Sequence, residues 1–317
     1  KKQAELWDEG YDDEKEKYIG SKWGKYIRAP EIFFKILKKG QEKGLFIPLK
    51  KIAIVRRGFT TGANEFFYLS RSKISEWGIE REYWTHIDEN GNLVPNYVII
   101  SPKDSDTILI DPTKLKHYVL LVHDDHNKLR GKNVLKYIQW GEEQGFNRRP
   151  TCRSRKLWYD LGKRDPGTIL WPMIHYTRHI VFYNPKKVYV DHNLFEIIPF
   201  EQYRDKEKVI VAILNSTIYA LFKEMYGRLN LGQGAIKTEG IDIEKIPIID
   251  LSRIPVEKIN RLLEAFDNLS KRPIDSILEE ILGQKVSEKE IVNQSLDETL
   301  KLVTLSRVKA DRLELDK

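Results

Sequence analysis

Residues 52–69 read IAIVRRGFTTGANEFFYL, two apolar runs around a polar centre that holds two arginines, two adjacent threonines and two glycines. The β-branched run Ile52–Val55 and the aromatic run Phe66–Leu69 predict strands that pin a loop at both ends. Gly58 and Gly62 allow backbone angles that other residues resist, so main-chain N–H groups can face outward beside Arg56 and Arg57. Such a loop suits a phosphate backbone. It equally suits an ordinary hairpin connection with solvated arginines, and the rest of the chain has to choose between the two.

Charge is informative once it is divided along the chain. Residues 21–60 hold 11 Lys and Arg against 2 Asp and Glu, and residues 131–190 hold 12 against 4, so these two windows carry more than the whole net charge of +7. Two basic blocks in an otherwise slightly acidic chain predict a positive face for a polyanion, provided that clustering in sequence becomes clustering in space. The 317 residues, 41% of them hydrophobic, suffice for a large core. One cysteine, Cys152, excludes an intrachain disulfide and any cysteine-rich zinc site. No apolar run is long enough for a membrane span and the N-terminus carries no secretory core, so the expectation is a cytoplasmic protein without membrane partners.

Taken in order, residues 1–20 are acidic and polar without a strong period, and read as a linker from a missing upstream domain; a first residue of Lys agrees with that. Pro30 to Gly40 reads as a short amphipathic helix with Ile32, Phe33, Ile36 and Leu37 on its apolar face. Tyr97–Ile100, Thr107–Ile110 and Tyr118–Val122 read as strands, Asn127–Gln144 as a helix, and residues 180–200 as strands around a turn at Asn184–Pro185. Between these, residues 146–183 interleave Arg148, Arg149, Arg153, Arg155, Lys156, Arg164 and Arg178 with Trp158, Tyr159, Trp171 and Tyr176. Cations beside aromatics suit nucleic acid, although core packing explains Trp158 and Trp171 taken singly.

Residues 206–226 read as one largely buried helix interrupted by Asn215 and Ser216, and a buried amide there has to bond to backbone or meet a ligand. A second glycine-rich loop follows, in which Gln233 and Lys237 can approach a base or a phosphate. Ile241, Ile243 and Ile246 alternate as a strand would, and Val256–Leu269, Pro273–Leu282 and Glu288–Leu315 read as helices. The fold class is therefore α+β, with a mixed, mostly antiparallel sheet and a C-terminal helical subdomain.

Several chemistries are absent from the sequence. None of the 13 prolines is adjacent to another, which removes the Asp/Asn-Pro-Pro-aromatic motif of adenine methylation, and neither a Gly-x-Gly-x-x-Gly turn nor a phosphate-binding Lys-Ser/Thr loop occurs. No catalytic residue and no metal ligand is assigned. His123, Asp124, Asp125 and His126, or His175 with His179, are conceivable ligands without a known signature, and Asp242, Glu244 and Lys245 resemble a nuclease trio only in outline.

Four stretches in order resemble one family: WGKYIRAPEIFFKIL (23–37), VRRGFTTGANEFFYL (55–69), YIQWGEEQGFNRRPTCRSRKLWYDLG (137–162) and LNSTIYALFKEMYGRLNLGQGAIKTEGIDIEKIPI (214–248). They resemble the C-terminal target-recognition domain of N6-adenine DNA methyltransferases, especially type IIG restriction–modification enzymes. The last block is also similar to the recognition units of type I specificity subunits. The resemblance implies a domain spanning 21–250 that reads double-stranded DNA in the major groove, with helices 251–317 appended. It also implies an upstream methyltransferase domain, so S-adenosylmethionine and methyl transfer belong to the parent protein and this chain holds no cofactor. DNA contact then falls to Arg56, Arg57, Thr60, Thr61 and Asn64, to Arg148, Arg149, Arg153, Arg155 and Lys156, and to Arg228, Gln233 and Lys237. Two alternatives stay open: a stand-alone metal-dependent nuclease, and a protein-interaction module working through the C-terminal helices.

Overall fold

Leu194–Pro199 is the longest strand among the described residues and the centre of a four-stranded antiparallel sheet. Ile169–Pro172 lies on one side of it with Phe182–Tyr183 beyond, and Ala53–Arg57 lies on the other. The computed structural model describes residues 4, 7, 10–12, 16–18, 26, 28–175, 179–229 and 235–274. Gln233, Arg178, the helix expected at Glu288–Leu315, nearly all of the one expected at Pro273–Leu282 and most of the expected 1–20 linker lie outside the described residues.

A second four-stranded sheet runs Tyr189–Val190, Tyr97–Ile99, His117–Val119 and Tyr68–Leu69, its first pair parallel and the others antiparallel. Each sheet has its own core. The first buries Trp171, Phe182, Phe195 and Ile197 against helices Glu207–Leu214, Thr217–Tyr226 and Val256–Ser270. The second packs Phe66, Phe67, Tyr137, Phe146 and Trp158 between its sheet and helix Asn133–Glu143. Both tryptophans of the basic block, Trp158 and Trp171, are thus core residues. The mixed, mostly antiparallel α+β architecture is as the sequence predicts.

Five local expectations change. Phe66 and Phe67 belong to a helical turn, Asn64–Phe67, and only Tyr68–Leu69 is strand. Successive strand residues face opposite sides, whereas this turn brings both rings to Trp158, at centroid distances of 4.6 and 6.3 Å. Thr107–Ile110 forms no strand, meeting Tyr183 only through a single bridge at Leu109. The helix expected from Asn127 begins at Asn133, where the carboxylate of Glu80 accepts from the Asn133 and Val134 N–H groups. Residues 206–226 are two helices bent by 79° at Asn215–Ser216. Finally, the isoleucine alternation at 241–246 falls on a short helix, Gly240–Glu244, followed by strand Pro247–Ile249.

Asn215 explains the bend. Its side chain accepts from Val181 N at 3.0 Å and donates to Val181 O and Val211 O, both at 2.8 Å, so the amide is satisfied wholly by backbone. The Val256–Ser270 helix contributes Ala265, Phe266 and Leu269 to the first core. Among the described residues no single helix is long and apolar enough to cross a membrane.

Two outcomes follow from this packing. Asn215→Ala leaves the Val181 N–H and carbonyl unpaired inside the core, which costs about 1–3 kcal/mol; a urea titration should show a lower midpoint at unchanged slope. The Cys152 thiol is fully buried and burial pushes its pKa up. A thiol reagent should therefore label it only as fast as the protein unfolds, and immediate labelling of the native protein would contradict this placement.

Candidate nucleic-acid interface

Two of the chain's passages between the sheets run side by side. Residues 58–67 lead from the Ala53–Arg57 strand to Tyr68–Leu69, and Asp191–Asn193 lead from Tyr189–Val190 back to Leu194–Pro199. The crossings are stitched together by Gly58 N to Leu194 O (3.0 Å), Phe59 N to Val190 O (2.7 Å) and His192 N to Phe59 O (3.0 Å). Gly58 is required there because a Cβ would lie 2.3 Å from Asp191 O. Its N–H and that of Phe59 are therefore spent inside the junction and do not face outward. Gly62 adopts φ +78°, and a Cβ on it would meet Thr151 at 2.7 Å.

Two buried carboxylates hold this junction. Glu196, opposite Arg56 in the sheet register, accepts from Arg56 Nε at 3.0 Å, Arg56 Nη2 at 3.2 Å, Arg164 Nη1 at 3.4 Å and Gly167 N at 2.8 Å. Asp191 accepts from the Tyr68 hydroxyl at 2.7 Å and Asn64 Nδ2 at 3.4 Å. Burial, followed by the neighbouring Asp191, raises the Tyr68 pKa so that the hydroxyl remains a donor. Arg56 also donates to Asp165 O at 2.6 Å, while exposed Arg57 donates through Nε to His192 O at 3.0 Å. Of the loop's hydroxyl residues, Thr60 is exposed, whereas buried Thr61 hydrogen-bonds to Asn64 and accepts from Ala63 N.

The second basic block packs directly on this loop, so the two windows that are about ninety residues apart meet in space. Arg155 donates to Thr60 O at 2.6 Å, Thr61 O at 2.8 Å and Trp158 O at 3.1 Å. Arg149 donates to Gly62 O at 3.3 Å and to Glu65 at 2.6 Å, and that bond holds the Glu65 carboxyl below its usual range. Arg148, Arg153 and Lys156 lie between or beside these anchors and are exposed. No acidic partner reaches them among the described residues.

The glycine hairpin stands apart in its electrostatics. Arg228 and Lys237 pair with each other through backbone bonds, and each has its own acid: Arg228 with Asp242 at 3.1 Å and Lys237 with Glu239 at 2.7 Å. The hairpin connects to the rest through Met173, whose carbonyl accepts Thr238 N and whose sulfur lies 3.5 Å from Arg57 Nη2.

The residue list drawn from sequence omits several that matter here. Glu196, Asp191, Lys163 and Lys73 were not singled out, and Arg164 was named only among the cations of the basic block. Glu196 alone carried a signal, as a carboxylate inside the apolar strand LFEIIP. Among the described residues no group of three or more His, Cys, Asp or Glu could hold a metal ion. His123 instead bonds to Asp160 at 2.7 Å, and buried His179 meets Glu224 at 2.7 Å. Asp242 caps its helix by accepting Glu239 N at 3.0 Å besides pairing with Arg228.

Comparison with known proteins gives this geometry a family. A type II methyltransferase M.AccI from Acinetobacter calcoaceticus is 26% identical over 280 residues, which are 82% of this chain and 49% of that protein. The chain thus spans about half the length of the curated relative it matches. Among solved structures, the type IIG restriction endonuclease BpuSI aligns over 92% of this chain and 33% of its own with a TM-score of 0.50 at 14% identity, a likeness of fold. The type IIL restriction-modification enzyme MmeI aligns over 84% of this chain and 35% of its own with a TM-score of 0.49 at 13% identity. The family model for the C-terminal domain of the type II methyltransferase M.Eco57I matches residues 20–284, and the chain belongs to that family.

Proposed function

We propose that this chain is the sequence-reading part of an adenine-specific DNA methyltransferase of a restriction–modification system. Residues 21–250 form the body that grips double-stranded DNA. An upstream domain binds S-adenosylmethionine and methylates the adenine that the grip presents, in the cytoplasm. The carrying observation is that the second basic window packs on the 56–65 loop at the end of the first, where Arg149 and Arg155 bond to the loop's carbonyls. Family membership and the relative named as a type II methyltransferase support the same reading.

Within that reading, exposed cations set register on phosphates, and base edges are met by groups at the loop and at the glycine hairpin. To this base-reading part we assign Thr60, Asn64, Arg228, Gln233 and Lys237 of the contacts that the sequence suggests. The nuclease alternative draws no support from Asp242, which is nearly buried and bonded to Arg228 and to a helix N–H. A protein-interaction role through the C-terminal helices has no specific observation in its favour.

Titration of the protein with duplex DNA at rising KCl tests the reading. If roughly six phosphates are engaged, log affinity falls against log salt with a slope of about −5. Binding that is flat in salt, or absent at low salt, would remove the proposal. Plasmid incubated with the protein and Mg²⁺ should stay intact.

A further inference from the structure

The bonding of the junction separates its cations into two kinds, an inference that rests on the DNA-binding reading above. We propose that Arg56, Arg149, Arg155 and Arg164 are positioning residues that hold the 57–65 loop in shape. Phosphate contact falls instead to Arg57, Arg148, Arg153, Lys156 and Lys163.

The first observation concerns where the loop's carbonyls go. Arg57 O accepts from Arg164 at 2.9 Å, Thr60 O and Thr61 O from Arg155 at 2.6 and 2.8 Å, Gly62 O from Arg149 at 3.3 Å, and Glu65 O from Lys73 at 2.7 Å. Five carbonyls of one loop thus end on side-chain cations. Thr60 to Gly62 lie outside any strand or helix, so a fork of guanidinium donors substitutes for the missing ladder.

The second observation is the seating of the guanidinium planes. Arg149 lies over the Phe146 ring at 4.7 Å, Arg155 over Phe67 at 5.5 Å and Arg164 over Phe59 at 4.7 Å. Each ring belongs to the second core. A guanidinium that lies over a buried ring and donates to carbonyls cannot turn toward a phosphate without giving up both contacts. Arg56 is bound by Glu196 and Asp165 O instead, and Arg164 shares that carboxylate.

The third observation is the contrast in the remaining cations. Arg57, Arg148, Arg153, Lys156 and Lys163 are exposed and carry no carboxylate partner among the described residues. Four of them border an anchored residue in sequence and Arg153 lies two before Arg155, so the anchored set fixes the backbone from which the exposed set projects; Arg57 also donates to His192 O. Lys163 enters by this argument alone; it precedes the doubly anchored Arg164.

The experiment is binding of the protein to a fluorescent mixed-sequence duplex across a KCl series, together with thermal unfolding of each variant. Arg153→Ala and Lys156→Ala should each flatten the salt slope by about 0.9, the share of one phosphate, at unchanged Tm. Arg155→Ala should lower Tm and affinity while the slope keeps its wild-type value. Arg155→Lys keeps the charge and loses the fork, so it should resemble Arg155→Ala; a residue that merely met a phosphate would be rescued by lysine. The partition is overturned if Arg155→Ala flattens the slope by about 0.9 at constant Tm, if lysine restores it, or if Arg153→Ala and Lys156→Ala leave the slope alone. A flat wild-type slope is a different failure, since it removes the DNA-binding reading and the partition with it.

Discussion

A carboxylate without solvent exposure, Glu196, sits in the middle of the central strand, and the region around it is arranged to satisfy it. Leaving a buried charge unpaired costs about 3–5 kcal/mol, so donors must be delivered from several parts of the chain. They come from the neighbouring strand (Arg56), from the basic block (Arg164) and from a main-chain N–H (Gly167). Those three deliveries fix the Ala53–Arg57 edge strand, the 160s coil and the start of Ile169–Pro172 relative to one another. Arg164 is itself half-buried, and burial lowers its pKa against the opposing pull of Glu196. The pair is best seen as a device for geometry, because buried ion pairs contribute little net stability while specifying a unique arrangement in some systems.

Once that arrangement is set, the junction between the sheets has little freedom. Gly58 must approach Asp191, and the loop beyond it must find partners for carbonyls that no strand offers. Arginines supply them, and they do so from the segment richest in positive charge. A structural need and an electrostatic one therefore meet in the same residues: the anchored cations shape the loop and add to the field around it, while the exposed ones beside them are available to a polyanion. The same logic keeps the glycine hairpin electrically quiet, since Arg228 and Lys237 arrive with Asp242 and Glu239.

Much of the fold was legible in the sequence where local pattern decides it. The β-branched run before Arg56 is strand, the Glu31–Glu42 helix carries the apolar face expected around Phe33, and Asn215 finds backbone partners. What escaped is non-local. Arg56 and Glu196 are 140 residues apart, and no period or motif links them. Strands of two residues, such as Tyr68–Leu69 and Tyr189–Val190, are too short to show an alternation. Phe66 and Phe67 looked like strand because aromatic residues favour strands, yet tertiary packing on Trp158 overrode propensity. For the site, sequence marked cations in two windows that the fold brings together, but it could not tell an arginine facing a carbonyl from one facing water.

Arginine-selective modification with phenylglyoxal, read residue by residue by mass spectrometry with and without duplex DNA, addresses that distinction directly. In the free protein Arg148 and Arg153 should react readily while Arg155 and Arg164 stay protected, and duplex should protect the first two alone. Free reaction of Arg155 and Arg164 in the native protein, or duplex that leaves Arg148 and Arg153 as reactive as before, would contradict the division of the cations into those that shape the loop and those that meet DNA.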